Sequence, residues 1–317
     1  MIIADLLKNT KKTLFSFELL PPLKGKDISA IYDAIDPLLE FEPSYINVTY
    51  HREEVVYKKR PDGLLEEKSV RKRPGTVGIS AAIMHKYNVE VVPHILCSGF
   101  TKEETEDALI DLNFLGIHNI LVLRGDPDKA TKTFNPTPGG HKYASELIQQ
   151  IADMNKGKYL DDEIQYPTPT SFSIGVAGYP EKHPESPNFE TDIKVLKHKI
   201  AAGAKYIVTQ MFFDNNHYFR FVEKCRNEGI NVPIIPGIKP ISLKSHINTL
   251  PRSFYVDMPI ALSIEVEKCK NNEEAKQIGI EWTTQQAKEL KSYGVPSIHF
   301  YTMDRSDNIA QIAKAVY

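Results

Sequence analysis

Cysteine is scarce, with Cys97, Cys225 and Cys269 in 317 residues. The number is odd and no CxxC pair occurs, so neither a disulfide framework nor a zinc knuckle is encoded; reduced thiols in the cytoplasm are expected. An excess of one charge is also missing, since 39 Lys and Arg face 41 Asp and Glu for a net charge of −2. That balance leaves no global basic field for nucleic acid or an anionic membrane. No apolar run approaches the ~20 residues of a membrane span. The start, Met-Ile-Ile-Ala-Asp-Leu-Leu-Lys, has no basic segment leading into an apolar core. No Gly/Ser-rich linker divides the chain. What is present is an ordinary globular mixture, 41% hydrophobic and 25% charged, long enough for two small domains or one large α/β barrel.

Several chemical signatures are absent as well. No GxGxxG follows the first strand, which counts against a Rossmann half. There is no GxxxxGK[ST] loop, no HExxH, no GxSxG and no His/Asp cluster at metal-ligand spacing, so neither a metal nor a covalent serine mechanism is signalled.

Short β-rich runs bounded by Pro, Gly or Asn recur at 14–17, 45–48, 89–95, 119–123, 171–177, 206–209, 233–236 and 297–301. Some are continuously apolar, as in Ile120-Leu-Val-Leu, which suits strands covered on both faces of a parallel sheet. Between them lie helical segments with readable ends. Thr101 caps an acidic first turn, and Leu109, Leu112 and Leu115 form a stripe that ends at Gly116. Segments 189–202 and 217–228 stop at Gly203 and Gly229 in the same way. Eight strands in this βα order predict a single-domain α/β fold over 1–317, a (β/α)8 TIM barrel. Two stretches exceed ordinary loop length. Residues 50–75 are densely charged, and 155–170 are polar with Pro167 and Pro169; both are expected to be solvated excursions.

A barrel assembles its active site at the C-terminal mouths of its strands. Polar residues stand at that end of strand after strand: Glu18, Thr49 and Tyr50, His94, Arg124-Gly125-Asp126, Tyr179 with His183, Thr209-Gln210, and Tyr301 with Arg305. Singly, each has an ordinary explanation. His94, in Val91-Val-Pro-His-Ile-Leu, taken alone reads more readily as a hydrogen-bonded core histidine than as a ligand. Arg124 and Asp126 could be a paired turn. Glu18 is harder to dismiss, because a carboxylate between Phe15-Ser-Phe and Leu-Leu-Pro-Pro is costly to bury without a task. Together they point to one functional mouth.

At this level the motifs resemble a known family. Ser16-Phe-Glu-Leu-Leu-Pro-Pro, Val48-Thr-Tyr, Pro93-His-Ile, Leu123-Arg-Gly-Asp-Pro, Val176-Ala-Gly-Tyr-Pro-Glu-Lys-His-Pro-Glu, Thr209-Gln-Met-Phe-Phe-Asp, Ile235-Pro-Gly-Ile and His299-Phe-Tyr-Thr look, in order, like methylenetetrahydrofolate reductase. The resemblance implies a barrel that binds FAD and passes a hydride from NADH or NADPH to 5,10-methylenetetrahydrofolate, giving 5-methyltetrahydrofolate for methionine synthesis. It also implies a homo-oligomer, alongside the cytoplasmic setting and absence of a metal expected from the cysteines and motifs above. Under it Glu18 is the general acid, and Asp126 tunes the flavin from beside its pyrimidine edge. Thr49, Tyr50, His94, Arg124, Gly125, Asp126, Tyr143, Ala144, Tyr179, His183, Asp192 and Lys199 contact the flavin or, for Thr49, the nicotinamide. Gln210 meets the pterin, and Arg305 the carboxylates of the folate tail. His198 and Asp304 depart from the family pattern, and 259–266 match its substrate lid loosely. Eukaryotic members add a regulatory domain, whereas one helix follows Tyr301 here, so control through such a domain is not expected. A flavin-free pterin-binding methyltransferase barrel is the alternative.

Overall fold

The expected strands all form, and those of the main sheet pair in parallel. A computed structural model describes residues 1–127, 133–302 and 306–317. The first half runs α1 (Ile3–Asn9), β1 (Leu14–Leu19), α2 (Ser29–Ile35), β2 (Tyr45–Val48), β3 (Glu54–Lys59), β4 (Leu65–Val70), α3 (Thr76–Tyr87), β5 (Glu90–Leu96), α4 (Lys102–Phe114), β6 (Asn119–Leu123) and α5 (Ala144–Met154). The second runs β7 (Ser173–Gly178), α6 (Phe189–Ala202), β8 (Tyr206–Thr209), α7 (Asn215–Asn227), β9 (Ile234–Ile235), β10 (Gly237–Ile238), α8 (His246–Phe254), α9 (Ile260–Lys268), α10 (Asn272–Tyr293), β11 (Ser297–Tyr301) and α11 (Ser306–Val316).

The main sheet follows the order β10-β11-β1-β2-β5-β6-β7-β8-β9. Its two end strands adjoin in the chain on either side of Pro236, so the sheet comes round into a nearly closed, single-domain barrel. Pro236 has no N–H to give to the ladder, which splits the seventh strand there. Its carbonyl instead accepts from His299 N (2.9 Å), holding β11 to the seam.

Period-2 alternation divides each strand between two cores. Phe15, Phe17, Leu19, Ile46, Val48, Val122, Val176 and Phe300 face outward into the helix layer. Leu14, Tyr45, Val92, Leu121, Tyr206, Val208 and Ile235 face inward, where Ile3, Ala4 and Leu7 of α1 plug the lower end. Asn119 locks that plug, accepting from Ile3 N (2.9 Å) and donating to the Met1 carbonyl (2.7 Å). Gly175 lines the interior because a Cβ there would lie 2.4 Å from the Tyr206 ring. On the outside, the Thr cap and acidic first turn expected of α4 form, with Thr101 and Glu104 joined in a reciprocal capping box.

The charged 50–75 stretch is more ordered than a solvated excursion. β3 and β4 pair antiparallel from Glu54–Val70 to Lys59–Leu65. Arg60 N donates to the Leu64 carbonyl (2.8 Å) across a turn in which Gly63 takes a φ of 85°. Residues 155–170 contain no helix or strand. They are fastened through Asn155, which bonds both N and O of Phe172 and the Thr170 hydroxyl at 2.8–2.9 Å. Among the described residues, no helix is long and apolar enough to cross a membrane.

Candidate active site

Glu18 falls within β1, opposite Asn47 of β2 and Tyr301 of β11. Its sequence neighbours Phe17 and Leu19 point to the opposite side of the strand, so the apolar flanks read from the sequence are not its surroundings. Instead Glu18 Oε2 lies 4.0 Å from His94 Nε2 and 3.9 Å from His299 Nε2. Both distances exceed a direct hydrogen bond and leave room for a bridging atom. The Asn47 carboxamide bonds His94 Nε2 (3.1 Å), and Ser16 Oγ bonds His299 Nδ1 (3.0 Å). Burial pushes the pKa of His94 down to about 4 against the opposing pull of Glu18, so His94 is neutral near pH 7 and gives the carboxylate no counter-charge. Thr302 Oγ1 donates to the Glu18 carbonyl (2.6 Å) and fixes the end of β1.

The rest of the rim follows the strand ends. Thr49 Oγ1 donates to the Leu19 carbonyl (3.2 Å) and lies 3.3 Å from His51 Nε2. Desolvation and the charge of Arg73 hold His51 below the usual imidazole range, while Asp126 and Glu18 oppose them. Asp126 is exposed, and its charge acts on both His51 and Tyr179. Gly125 has a φ of +97°, and a Cβ there would sit 2.3 Å from Ser98 Oγ, so only glycine lets the backbone pass so close. Gln210 uses its amide oxygen to accept from Met211 N (2.9 Å). Tyr301 OH donates to the Thr209 carbonyl (2.5 Å) across the space that Gly237 keeps open.

The residues after β7 form a tightly connected turn. Asp192 accepts from His183 N (3.0 Å) and Ser186 Oγ (3.2 Å), and the His183 ring packs edge-on against Tyr179. Burial lowers the pKa of Lys199 while Asp192 opposes the shift, and Lys199 Nζ donates to the Ala177 carbonyl (3.3 Å). Arg124 gives both arms of its guanidinium to Glu185, at 2.7 and 2.5 Å. The Tyr50 ring packs at a tilt against Phe100, and its hydroxyl accepts from Arg71 Nη2 (2.7 Å). The other two expected flavin contacts open α5: Tyr143 is 47% exposed, and the Ala144 methyl packs into the outer core. Arg305 and Asp304 lie outside the described residues.

Buried polar atoms without partners gather at the same mouth: Asn47 Oδ1, His299 Nε2, Ser98 Oγ and Arg71 Nε. Such atoms are costly unless a bound polar molecule or water satisfies them. The sequence reading passed over Asn47, His299, Arg71 and Glu185. For the first two a signal existed, because counting by twos from Glu18 and across the ladders selects them as inward residues.

Beyond the mouth, α8 and α9 rest on a separate apolar cluster of Met211, Phe213, Leu250, Val256 and Leu262. Glu181 accepts from Asp257 N and so ties this cover to the turn after β7. Burial, with help from Asp257 and Asp214, pushes the Glu181 carboxyl up to about 7, even though its bond to Asp257 N pulls the other way. Glu181, His217 and Asp257 bring ligand-capable atoms within 4.8 Å of one another, but Arg220 bonds His217 Nδ1 (3.2 Å) and sets a positive charge beside the group.

With this geometry in hand, residues 3–317 match the sequence profile described as methylenetetrahydrofolate reductase. The chain belongs to the methylenetetrahydrofolate reductase family. It is 31% identical to methylenetetrahydrofolate reductase (NADH) 1 of Arabidopsis thaliana, a match covering 96% of this chain and 49% of the plant protein. It is 30% identical to 5,10-methylenetetrahydrofolate reductase of Pectobacterium carotovorum, with 92% and 86% covered. The chain thus spans about half the length of the plant reductase and most of the bacterial one. Among solved structures, an uncharacterized protein from Clostridium thermocellum that binds two copies of 5-methyl-5,6,7,8-tetrahydrofolic acid shares the fold, with a TM-score of 0.57 at 12% identity over 98% of this chain and 97% of that one.

Proposed function

We propose that the protein reduces 5,10-methylenetetrahydrofolate to 5-methyltetrahydrofolate with electrons from NADH or NADPH, using FAD as a bound cofactor. When bound, the flavin supplies the ring that accepts a hydride from one substrate and gives it to the other. The residues at the mouth suit such a guest: partnerless buried polar atoms face inward, the half-buried rings of Phe100 and Tyr179 offer apolar surface, and Gly125 keeps backbone rather than side chain at the rim.

The observation that carries the reading is Glu18, held between His94 and His299 at the mouth of this family's barrel. Opening the five-membered ring of the substrate needs a proton at its leaving nitrogen, and Glu18 is the group able to hold and deliver one there. Neutral His94 supports the role by offering no cation to the carboxylate. The Gln210 amide oxygen is occupied by Met211 N, so its NH2 is the end free to meet the pterin. The Asp126 carboxylate stands at the rim, where its field reaches both His51 and Tyr179 and would act on a ring seated near them.

The experiment is to purify the protein, record absorbance near ~450 nm where oxidised flavin absorbs, and assay folate-dependent oxidation of NADH and NADPH. Yellow protein, or colourless protein that takes up FAD and then turns over, agrees with the proposal. Protein that neither carries nor takes up FAD contradicts it and favours the flavin-free methyltransferase.

A further inference from the structure

The hairpin built by the charged 50–75 stretch pairs its outer cations with its own carboxylates: Arg60 with Asp62 (3.1 Å), Lys68 with Glu66 (3.3 Å) and Lys72 with Glu54 (2.7 Å). Arg71 and Arg73, at its base, are different. Arg71 donates to the Tyr50 hydroxyl, lies 5.6 Å from the Tyr50 ring centroid and leaves a buried Nε without a partner. Arg73 donates to the Pro21 carbonyl, and its charge reaches His51 at the mouth. Neither guanidinium forms an ion pair among the described residues; Arg71 is held by a hydroxyl and Arg73 by a carbonyl.

Across the mouth the charge balance is the reverse. Glu185 takes both arms of Arg124, and Lys199 sits in the field of Asp192. The hairpin side therefore offers an entering anionic group guanidinium donors that no carboxylate holds, although the charges of Asp126, Glu18 and Glu54 also act on His51. Guanidinium groups with free donors are suited to phosphate, which accepts several hydrogen bonds in a plane.

We infer that Arg71 and Arg73 form a phosphate subsite at the rim, taking a phosphate of a dinucleotide bound in the mouth. This rests on the flavin and nicotinamide reading above, and it gives the hairpin a binding role. Two sources share the chemistry, the diphosphate of FAD and the 2′-phosphate of NADPH.

To test it, wild type, R71Q and R73Q are stripped of flavin and compared by thermal melting. They are then titrated with FAD and with riboflavin, which lacks phosphate, by flavin fluorescence. NADH- and NADPH-driven bleaching is measured on FAD-loaded protein. A loss of roughly tenfold or more in FAD affinity with riboflavin unchanged assigns the subsite to the flavin diphosphate. A comparable rise in KM for NADPH alone assigns it to the 2′-phosphate. R71K, which keeps a cation, should recover part of either loss. Three results overturn the inference: variants equal to wild type in both assays, equal weakening of FAD and riboflavin, or an effect confined to the KM for folate. Wild type that binds no flavin removes the parent reading instead, and calorimetric titration with inorganic pyrophosphate then decides the subsite. Binding lost in R71Q and R73Q supports it, and no binding to wild type overturns it.

Discussion

His94 is 5% exposed, and burial depresses its pKa to about 4 from the ordinary imidazole value of 6.5. In the unfolded chain the same ring takes up a proton as the pH falls through 6.5, whereas in the folded protein it resists until about pH 4. Between those values the unfolded state binds more protons, so acidification destabilises the fold. At 1.36 kcal/mol per pKa unit, moving from about pH 7 to about pH 5 costs roughly 2 kcal/mol from this residue alone. Glu181 works in the opposite direction. Its carboxyl is raised to about 7, so its contribution is present at low pH and lost as the pH climbs through that value. The bulk stability curve therefore mixes the two, and a paired comparison is needed to separate them. His94→Gln keeps a polar group beside Asn47 and removes the titrating ring. Urea unfolding of wild type and variant at both pH values, with m-values checked for constancy, should show wild type losing roughly 2 kcal/mol more than the variant on acidification. A wild-type-minus-variant difference that does not change with pH, or that changes with the opposite sign, refutes the claim that His94 is held neutral by burial.

Gly175→Ala would drive a methyl into the Tyr206 ring from which its Cβ would be 2.4 Å away. Overpacking of this kind costs about 1–3 kcal/mol and should appear as a lowered Tm with the helix content of the remaining folded protein unchanged; an unaltered Tm would mean the barrel interior is looser than described. Asp126→Asn removes a negative charge that acts on His51 and Tyr179 across the mouth. Bound FAD should become more oxidising and deliver hydride to folate more slowly, which a redox titration and stopped-flow reoxidation would record; an unchanged potential counts against the electrostatic role.

The barrel was legible because its strands are short, apolar and punctuated by Pro, Gly and Asn, and Glu18 stood out as a carboxylate in an apolar run. Its neighbourhood was not legible from adjacent letters. Phe17 and Leu19 pack into the outer core, while the groups facing Glu18 come from Asn47, His94 and His299 on three other strands. The hairpin carried its own signal in Pro61-Asp-Gly-Leu between β-branched and charged residues. The density of charge hid it, because the apolar side chains there, such as Tyr57 and Leu65, are more than 60% exposed and show no buried face. Arg124 illustrates a different limit: sequence nominated it for the flavin, but a contact to Glu185, 61 residues away, cannot be read from a local motif.

The central claim is that Glu18 acts as the acid for the folate step and not for electron entry. Stopped-flow measurement of both half-reactions in Glu18→Gln separates the two. The account predicts NAD(P)H-driven bleaching of bound FAD close to wild type, with reoxidation by 5,10-methylenetetrahydrofolate abolished. Loss of both half-reactions together, or folate reoxidation at the wild-type rate, would contradict it.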